Sequence, residues 1–257
     1  MASLLVQSGT NLVDEYADHR QGGSAGKVLA PYKVIALGLL TPRAVWHGAL
    51  VCFGVATLIG VYLVLRTGWP LALVCLASVG VAYAYSAGPL PLGHLALGEP
   101  LVFVFMGPVM VGGSFYVQIH TLHQDALWLS LPVACLVTAI LVANNLRDAE
   151  EDRRSGKQTL VTLWGRRPAA CLYGGLLLVA FASPVALVAG GHGRPAWLLP
   201  LLTLPLAWRV ARLAWQGGER PLLHRALRQT AKLHLWFGLL LAAGGPAPCL
   251  PGRAKGG

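Results

Sequence analysis

Ten acidic residues are spread through 257 positions, yet seven of them fall into two short clusters. NLVDEYADHR, from position 11, holds Asp14, Glu15 and Asp18, while NNLRDAEEDRRSGK, from 144, holds Asp148, Glu150, Glu151 and Asp152. In each, two aspartates stand four apart, and asparagine leads: Asn11 in the first, Asn144 and Asn145 in the second. On a helix, residues so spaced share a face, with Cβ atoms about 5–6 Å apart. Like charges placed that way repel, and the repulsion grows where the dielectric is low. A divalent cation reverses the sign. Mg²⁺ is a hard ion that takes oxygen ligands, commonly one or two carboxylates together with waters and substrate phosphates. Two acidic pairs facing each other across a bundle would hold a pair of Mg²⁺ ions with a diphosphate between them.

A solvated helix end stitched by internal ion pairs is the plainer account. Glu150 with Arg153 or Arg154, and Glu151 with Arg154, stand at helical spacing, and exposed pairs of this kind contribute little. That account suits the two glutamates. For Asp148 and Asp152 the repetition of the Asn-led pattern favours metal. Bases follow both clusters: Lys27, Lys33 and Arg43 after the first, and Arg153, Arg154 and Lys157 after the second. Lys33 and Lys157 each lie in a glycine-punctuated loop and are the candidate phosphate contacts. A lysine there supplies a point charge that steadies the negative charge developing on a leaving diphosphate.

The elements that must hold these groups are apolar. Hydrophobic residues make up 55% of the chain and charged ones only 12%, against about 25% charged in a soluble domain. The apolar residues fall in blocks at roughly 44–65, 69–87, 100–119, 126–146, 169–191, 195–215 and 232–250, each near the about 20 residues that cross a bilayer as a helix. Helices satisfy every backbone group in hydrocarbon, so the fold class is all-α integral membrane, a bundle of about seven transmembrane helices. The block at 195–215 is the least regular, with Pro200, Pro205 and two arginines. MASLLVQSG at the start is too short to span, lacks the basic start of a signal peptide, and reads as an N-terminal helix stub. A single domain over 1–250 and a disordered tail at 251–257 complete the organisation.

The formal charge of +10 does not point to nucleic acid. With seven spans, one side of the membrane carries segments 1–43, 88–99, 147–168 and 209–232, which hold sixteen of the twenty Lys and Arg residues. That asymmetry makes this side cytoplasmic, and both acidic clusters lie on it. Basic loops against anionic lipid account for many of these charges. The five cysteines are scattered and form no C-x-x-C pair, which suggests packing residues, with no disulfide framework or zinc site.

Three stretches, GTNLVDEYADHRQGG, YAYSAGPLPLGHLALGEPLVFVFMGPV and NNLRDAEEDRRSGKQTLVTLWGR, together resemble the UbiA superfamily of intramembrane aromatic prenyltransferases. More narrowly, they resemble its 1,4-dihydroxy-2-naphthoate polyprenyltransferases of menaquinone synthesis. The resemblance implies Mg²⁺ as cofactor, a polyprenyl diphosphate and an aromatic acceptor as substrates, and the lipid bilayer as surroundings. It implies that diphosphate departs, that the ring attacks the allylic cation, and that carboxylate is lost to give a demethylmenaquinone. Asp14, Asp18, Asp148 and Asp152 would be catalytic, and those four with Glu15 would be the metal ligands. Asn11, Lys33, Asn144, Asn145 and Lys157 would contact substrate, while Tyr83 and Tyr85, just before the Gly88-Pro89 loop, would flank the cation or ring. The localisation implied is a bacterial-type inner membrane with the site facing the cytoplasm.

This chain has Asp14-Glu15 where the family usually has Asn-Asp, and Ser24 stands near where a further acid is usual. The family pattern is nine helices with the first motif at the end of the second, so the resemblance also implies N-terminal truncation. Other acceptors, such as 4-hydroxybenzoate, homogentisate or a porphyrin, and an inactive truncated homologue stay open at this point. A transporter using intramembrane acids fits less well, because the apolar blocks carry no Asp or Glu near their centres.

Overall fold

The computed structural model describes residues 1–20, 34–86 and 92–245. Every regular element among them is helical, and the chain divides into two compact units, Met1–Ala77 and Ser78–Gly257. The expected disordered tail lies outside the described residues.

In the first unit, α1 (Ala2–Arg20) packs on α2 (Pro42–Thr67). The N-terminal stub is thus the opening of a continuous helix that runs through the first acidic cluster. Small residues let the two backbones approach, as they do in membrane helix pairs. A Cβ on Gly9 would meet the Phe53 ring at 3.0 Å, and one on Gly48 would touch Leu12 at 3.5 Å. Tyr16 and Trp46 stack their rings beside these contacts, with centroids 5.1 Å apart. Thr41 caps α2 by accepting from the Ala44 amide, and Pro42 opens the first turn, where its missing N–H costs nothing. The helix α3 (Trp69–Ser86) begins in this unit and ends in the next.

In the second unit the chain winds around α6 (Gln124–Arg154), the longest helix. Against it pack α4 (Gly98–Val104), α8 (Arg166–Ala189) and α10 (Arg220–Ala243). A π-helical turn over Phe105–Val109, containing Pro108, joins α4 to α5 (Met110–Ile119). There Gly107 lies so close to Ala134 of α6 that a Cβ would have no room. One face of α6 is fully buried through Leu136, Ala139, Val142, Ala143, Leu146 and Ala149, and meets Tyr173, Phe181 and Phe237 across the core. The Tyr173 hydroxyl shares a 2.7 Å hydrogen bond with Thr230, which gives that buried polar tip a partner.

Among the described residues, each of the seven apolar blocks is largely helical, and four helical segments, Pro42–Thr67, Gly98–Ile119, Gln124–Arg154 and Arg166–Ala189, are long and apolar enough to cross a membrane. The block at 195–215 is broken: Pro195–Thr203 is a 3₁₀ stretch leading into α9 (Leu204–Gln216). Proline at 200 and 205 is the physical reason, since each lacks an N–H for the α-helical ladder. Large apolar side chains such as Leu65, Leu76 and Trp69 point outward. In water such a surface would be a liability; in lipid it is the contact surface. The protein is an all-α integral membrane protein.

Candidate active site

The second acidic cluster occupies the last two turns of α6, beyond its apolar block. The sequence dictates how that helix stops. Gly156 adopts φ +74°, the left-handed conformation that an L side chain resists. The Gly156 amide then donates to the Arg153 carbonyl and the Lys157 amide to the Asp152 carbonyl, the paired bonds of a Schellman motif. This turn folds Lys157 back over the helix end, where its Nζ stands 3.5 Å from Asp152 Oδ1. The next turn, α7 (Leu160–Trp164), is fixed by a reciprocal capping box between Thr159 and Thr162.

The two aspartates have different surroundings. Asp148 accepts from Arg147, at 2.8 Å through Nε and more closely through Nη2, and from Arg220 Nη2 at 3.3 Å. The same Arg220 nitrogen reaches Glu151 Oε2 at 3.1 Å, so α10 contributes a guanidinium to the cluster. Arg147 also donates to Asn144 Oδ1, a 2.9 Å bond that links the leading asparagine to Asp148. Asp152 is buried, and its Oδ2 has no partner among the described residues. Glu150 points to solvent and meets Arg153 at 3.2 Å, the local pair its spacing suggests.

A further carboxylate belongs to this neighbourhood. Glu99, in the first turn of α4, is 3% exposed, and its Oε1 accepts from Asn145 Nδ2 at 2.9 Å. Its Oε2 has no partner among the described residues, nor does the Thr138 hydroxyl on α6. An unpaired buried polar group costs about 1–3 kcal/mol, so such atoms persist where something else meets them. Tyr85 packs its ring on Gly93 and its hydroxyl near Gly98, positions where a Cβ would stand 3.1 and 3.3 Å away. The side chain of Tyr83 lies outside the described residues.

The first cluster lies on α1. Asn11 is exposed and accepts from Gln7 at 3.2 Å; Glu15 is buried and accepts from the Ile35 amide at 2.7 Å. Glu15 therefore anchors the segment that follows α1, a structural bond its spacing did not suggest. Asp14 and Asp18 sit on the same helix with side chains outside those described, and Lys33 lies wholly outside.

Among the described residues, no three His, Cys, Asp or Glu side chains gather into a metal site. The α6 end still fits an ion that needs few protein ligands. It offers a buried carboxylate oxygen without a partner on Asp152, with Asp148 one turn before it. Mg²⁺ keeps waters and takes the remainder of its shell from substrate phosphates.

Fold and site together define a membrane-embedded all-α protein whose acids and bases crowd the end of its central helix. The chain matches the UbiA prenyltransferase family over residues 1–238 and belongs to that family. It is a prenyltransferase, and such enzymes are generally dependent on a divalent metal. It is 33% identical over 242 residues to 1,4-dihydroxy-2-naphthoate octaprenyltransferase of Bacillus subtilis, covering 94% of this chain and 78% of that one. The enzyme of that name from Mycobacterium tuberculosis is 34% identical over 236 residues, covering 91% and 79%. UbiA prenyltransferase domain-containing protein 1 of Mus musculus is 30% identical over 261 residues, covering 97% and 74%.

Proposed function

We propose that this prenyltransferase moves a polyprenyl group from polyprenyl diphosphate to 1,4-dihydroxy-2-naphthoate, with loss of CO₂, giving a demethylmenaquinone. The observation that carries the reading is the end of α6, where the Asp148 and Asp152 pair meets a Lys157 folded back by Gly156. Relatives named for octaprenyl transfer to this naphthoate support the acceptor.

Asp148 and Asp152, with Asp14, Glu15 and Asp18 of the first motif, are proposed as Mg²⁺ ligands. Bound Mg²⁺ supplies positive charge that neutralises the diphosphate. The chain's own bases, Lys157 and Lys33, steady the same anion as the allylic C–O bond breaks and its electron pair leaves with diphosphate. Asn11, Asn144 and Asn145 orient the polar groups, and Tyr83 and Tyr85 flank the cation or ring, where an aromatic face attracts positive charge. A ring carbon then bonds to the prenyl carbon, and the carboxylate departs as CO₂, returning its electrons to the ring. The prenyl tail runs along apolar helix faces toward lipid. The domain is proposed as a single one over residues 1–250, facing the cytoplasm from a bacterial-type inner membrane.

The test is an assay in membranes with Mg²⁺, a polyprenyl diphosphate and 1,4-dihydroxy-2-naphthoate, and lipid-extracted product identified by mass. The expected product is the prenylated, decarboxylated quinol. Its absence, with prenylation of 4-hydroxybenzoate or homogentisate instead, overturns the naphthoate assignment.

A further inference from the structure

The base that joins the α6 cluster from farthest away is Arg220, in the first turn of α10. One nitrogen of its guanidinium, Nη2, reaches Asp148 Oδ1 at 3.3 Å and Glu151 Oε2 at 3.1 Å. The sequence around it explains the reach. Gly217 and Gly218 take φ +63° and +110°, and they turn the chain from α9 into α10. Leu223, one turn further on, is buried in the same apolar core as Leu146 of α6. Leu146 lies two residues before Asp148, so the packing that buries Leu223 sets Arg220 beside the acids. We propose that Arg220 serves two partners in turn, competing with a divalent ion for Asp148 and contacting the donor's diphosphate once both are bound. The inference rests on the metal and diphosphate reading of the α6 end and adds to it a binding residue on α10, outside both acidic motifs.

Placement is the first argument. The opening turn of a helix is a poor place for a base, because the positive end of the helix dipole disfavours cations. No acid stands in that turn of α10, and the anions that Arg220 meets are on α6. The site that holds it is therefore the acidic cluster and not its own helix.

The competition follows from the acceptors. Arg147 donates to both oxygens of Asp148, and Arg220 shares Oδ1 with it. A divalent ion on Oδ1 would stand beside a guanidinium, and like charges that close repel. Arg147 is fixed, with its side chain 13% exposed and a further bond to Asn144, whereas the Arg220 side chain is 46% exposed. Arg220 is the partner that yields. Its planar fork suits phosphate oxygens as well as it suits a carboxylate, so it has somewhere to go. Lys157 meets Asp152 and Arg220 meets Asp148, and each aspartate of the pair thus has its own base to pass on to the phosphate.

The test measures binding and does not depend on turnover. The full chain in nanodiscs of zwitterionic lipid is titrated with Mn²⁺, read by its electron paramagnetic resonance signal. The donor probe is farnesyl thiolodiphosphate, whose C–S bond resists departure. Arg220→Gln should lower the Kd for Mn²⁺ alone about threefold, the scale of a half-exposed ion pair. In saturating Mn²⁺ the same variant should raise the Kd for the thiolodiphosphate about tenfold, as when a hydrogen bond between charged groups is lost. Opposite shifts distinguish this role, since loss of a merely structural contact weakens both. Arg220→Lys keeps the charge, so its Mn²⁺ Kd should match the parent's, while its thiolodiphosphate Kd rises about threefold for want of the fork. That rise decides the matter should the Gln variant misfold. Arg225→Gln removes the same charge from an exposed position on α10 and should leave both constants at the parent values, because salt screens it.

Shifts in the same direction, or no shift in either constant, overturn the inference, as does an Arg225→Gln variant that reproduces the Arg220→Gln result. Asp148→Asn separates the inference from the reading beneath it. If Asp148→Asn weakens Mn²⁺ binding while Arg220→Gln changes nothing, Arg220 is a bystander and the metal reading stands. If Asp148→Asn leaves Mn²⁺ binding intact, the metal reading falls and the role of Arg220 falls with it.

Discussion

The carboxylates at the end of α6 and the carboxylate of Glu99 are tied to neighbouring positions on one helix, yet they are offset in opposite ways. Asp148 is enclosed by two guanidiniums and Asp152 is met by a lysine, whereas Glu99 is held by an uncharged amide. A cluster in which acids and bases alternate can exchange one partner for another, so a metal and a polyanion can enter without leaving bare charge. A carboxylate buried beneath leucines has no such freedom, and its Oε2 has no partner among the described residues. The same functional group is therefore assigned to diphosphate in one place and to a buried bond between helices in the other. What surrounds each group decides its task.

The sharpest way to break this contrast is to remove Asp148. We predict that Asp148→Ala lowers turnover about a hundredfold or more, in the range seen when one charge-placing group leaves an active site. Steady-state rates in membranes give the readout. A variant that turns over like the parent would remove Asp148 from the site.

A smaller effect is expected from the turn that carries Lys157. Gly156 has open space around it, so the only penalty for a side chain there is its left-handed backbone. Gly156→Ala should cost about 1 kcal/mol and loosen the bond between the Lys157 amide and the Asp152 carbonyl. We predict a rise of about fivefold in the KM for polyprenyl diphosphate, the equivalent of that cost at the phosphate contact. Gly156→Asn should lie nearer the parent, since asparagine tolerates this conformation best among non-glycine residues. A ranking with Asn worse than Ala would show that the turn does not act through its backbone angle.

Much of this was legible from residue types alone. Among the described residues the seven apolar blocks are largely helical, because in a bilayer the backbone has few other ways to satisfy itself. The prolines that made 195–215 irregular mark the place where the helix breaks. The grouping of Asp148, Asp152, Lys157, Asn144 and Asn145 followed from helical spacing and a glycine. Arg220 did not, since it stands 72 residues from Asp148 and read as one more basic charge facing lipid. Glu99 is 46 residues from Asn145, and nothing in LALGEPLV says that its carboxylate turns inward. Contacts between distant helices depend on how those helices pack, and a local pattern carries no record of that. A single acid inside an apolar stretch was the available signal, because burying one demands a partner.

The smallest expected effect separates the α6 cluster from within. Glu150 lies two residues from both Asp148 and Asp152, yet its side chain is 73% exposed and pairs only locally, at i,i+3 with Arg153. An exposed pair of this kind contributes from nothing to about 1 kcal/mol, and water replaces either partner readily. Glu150→Ala should therefore leave rate and both KM values within about twofold of the parent, and thermal stability nearly unchanged. Glu151 provides the control on the other side, since its carboxylate shares Arg220 with Asp148 across two helices. Should Glu150→Ala match the loss at Asp148, negative charge anywhere on the helix end would be sufficient for the reaction, and the division by local surroundings would fail. Should it remain silent while Asp148→Ala is inactive, acids two positions apart in sequence would differ only in the face they occupy, and the arginines on that face would be what marks the catalytic pair.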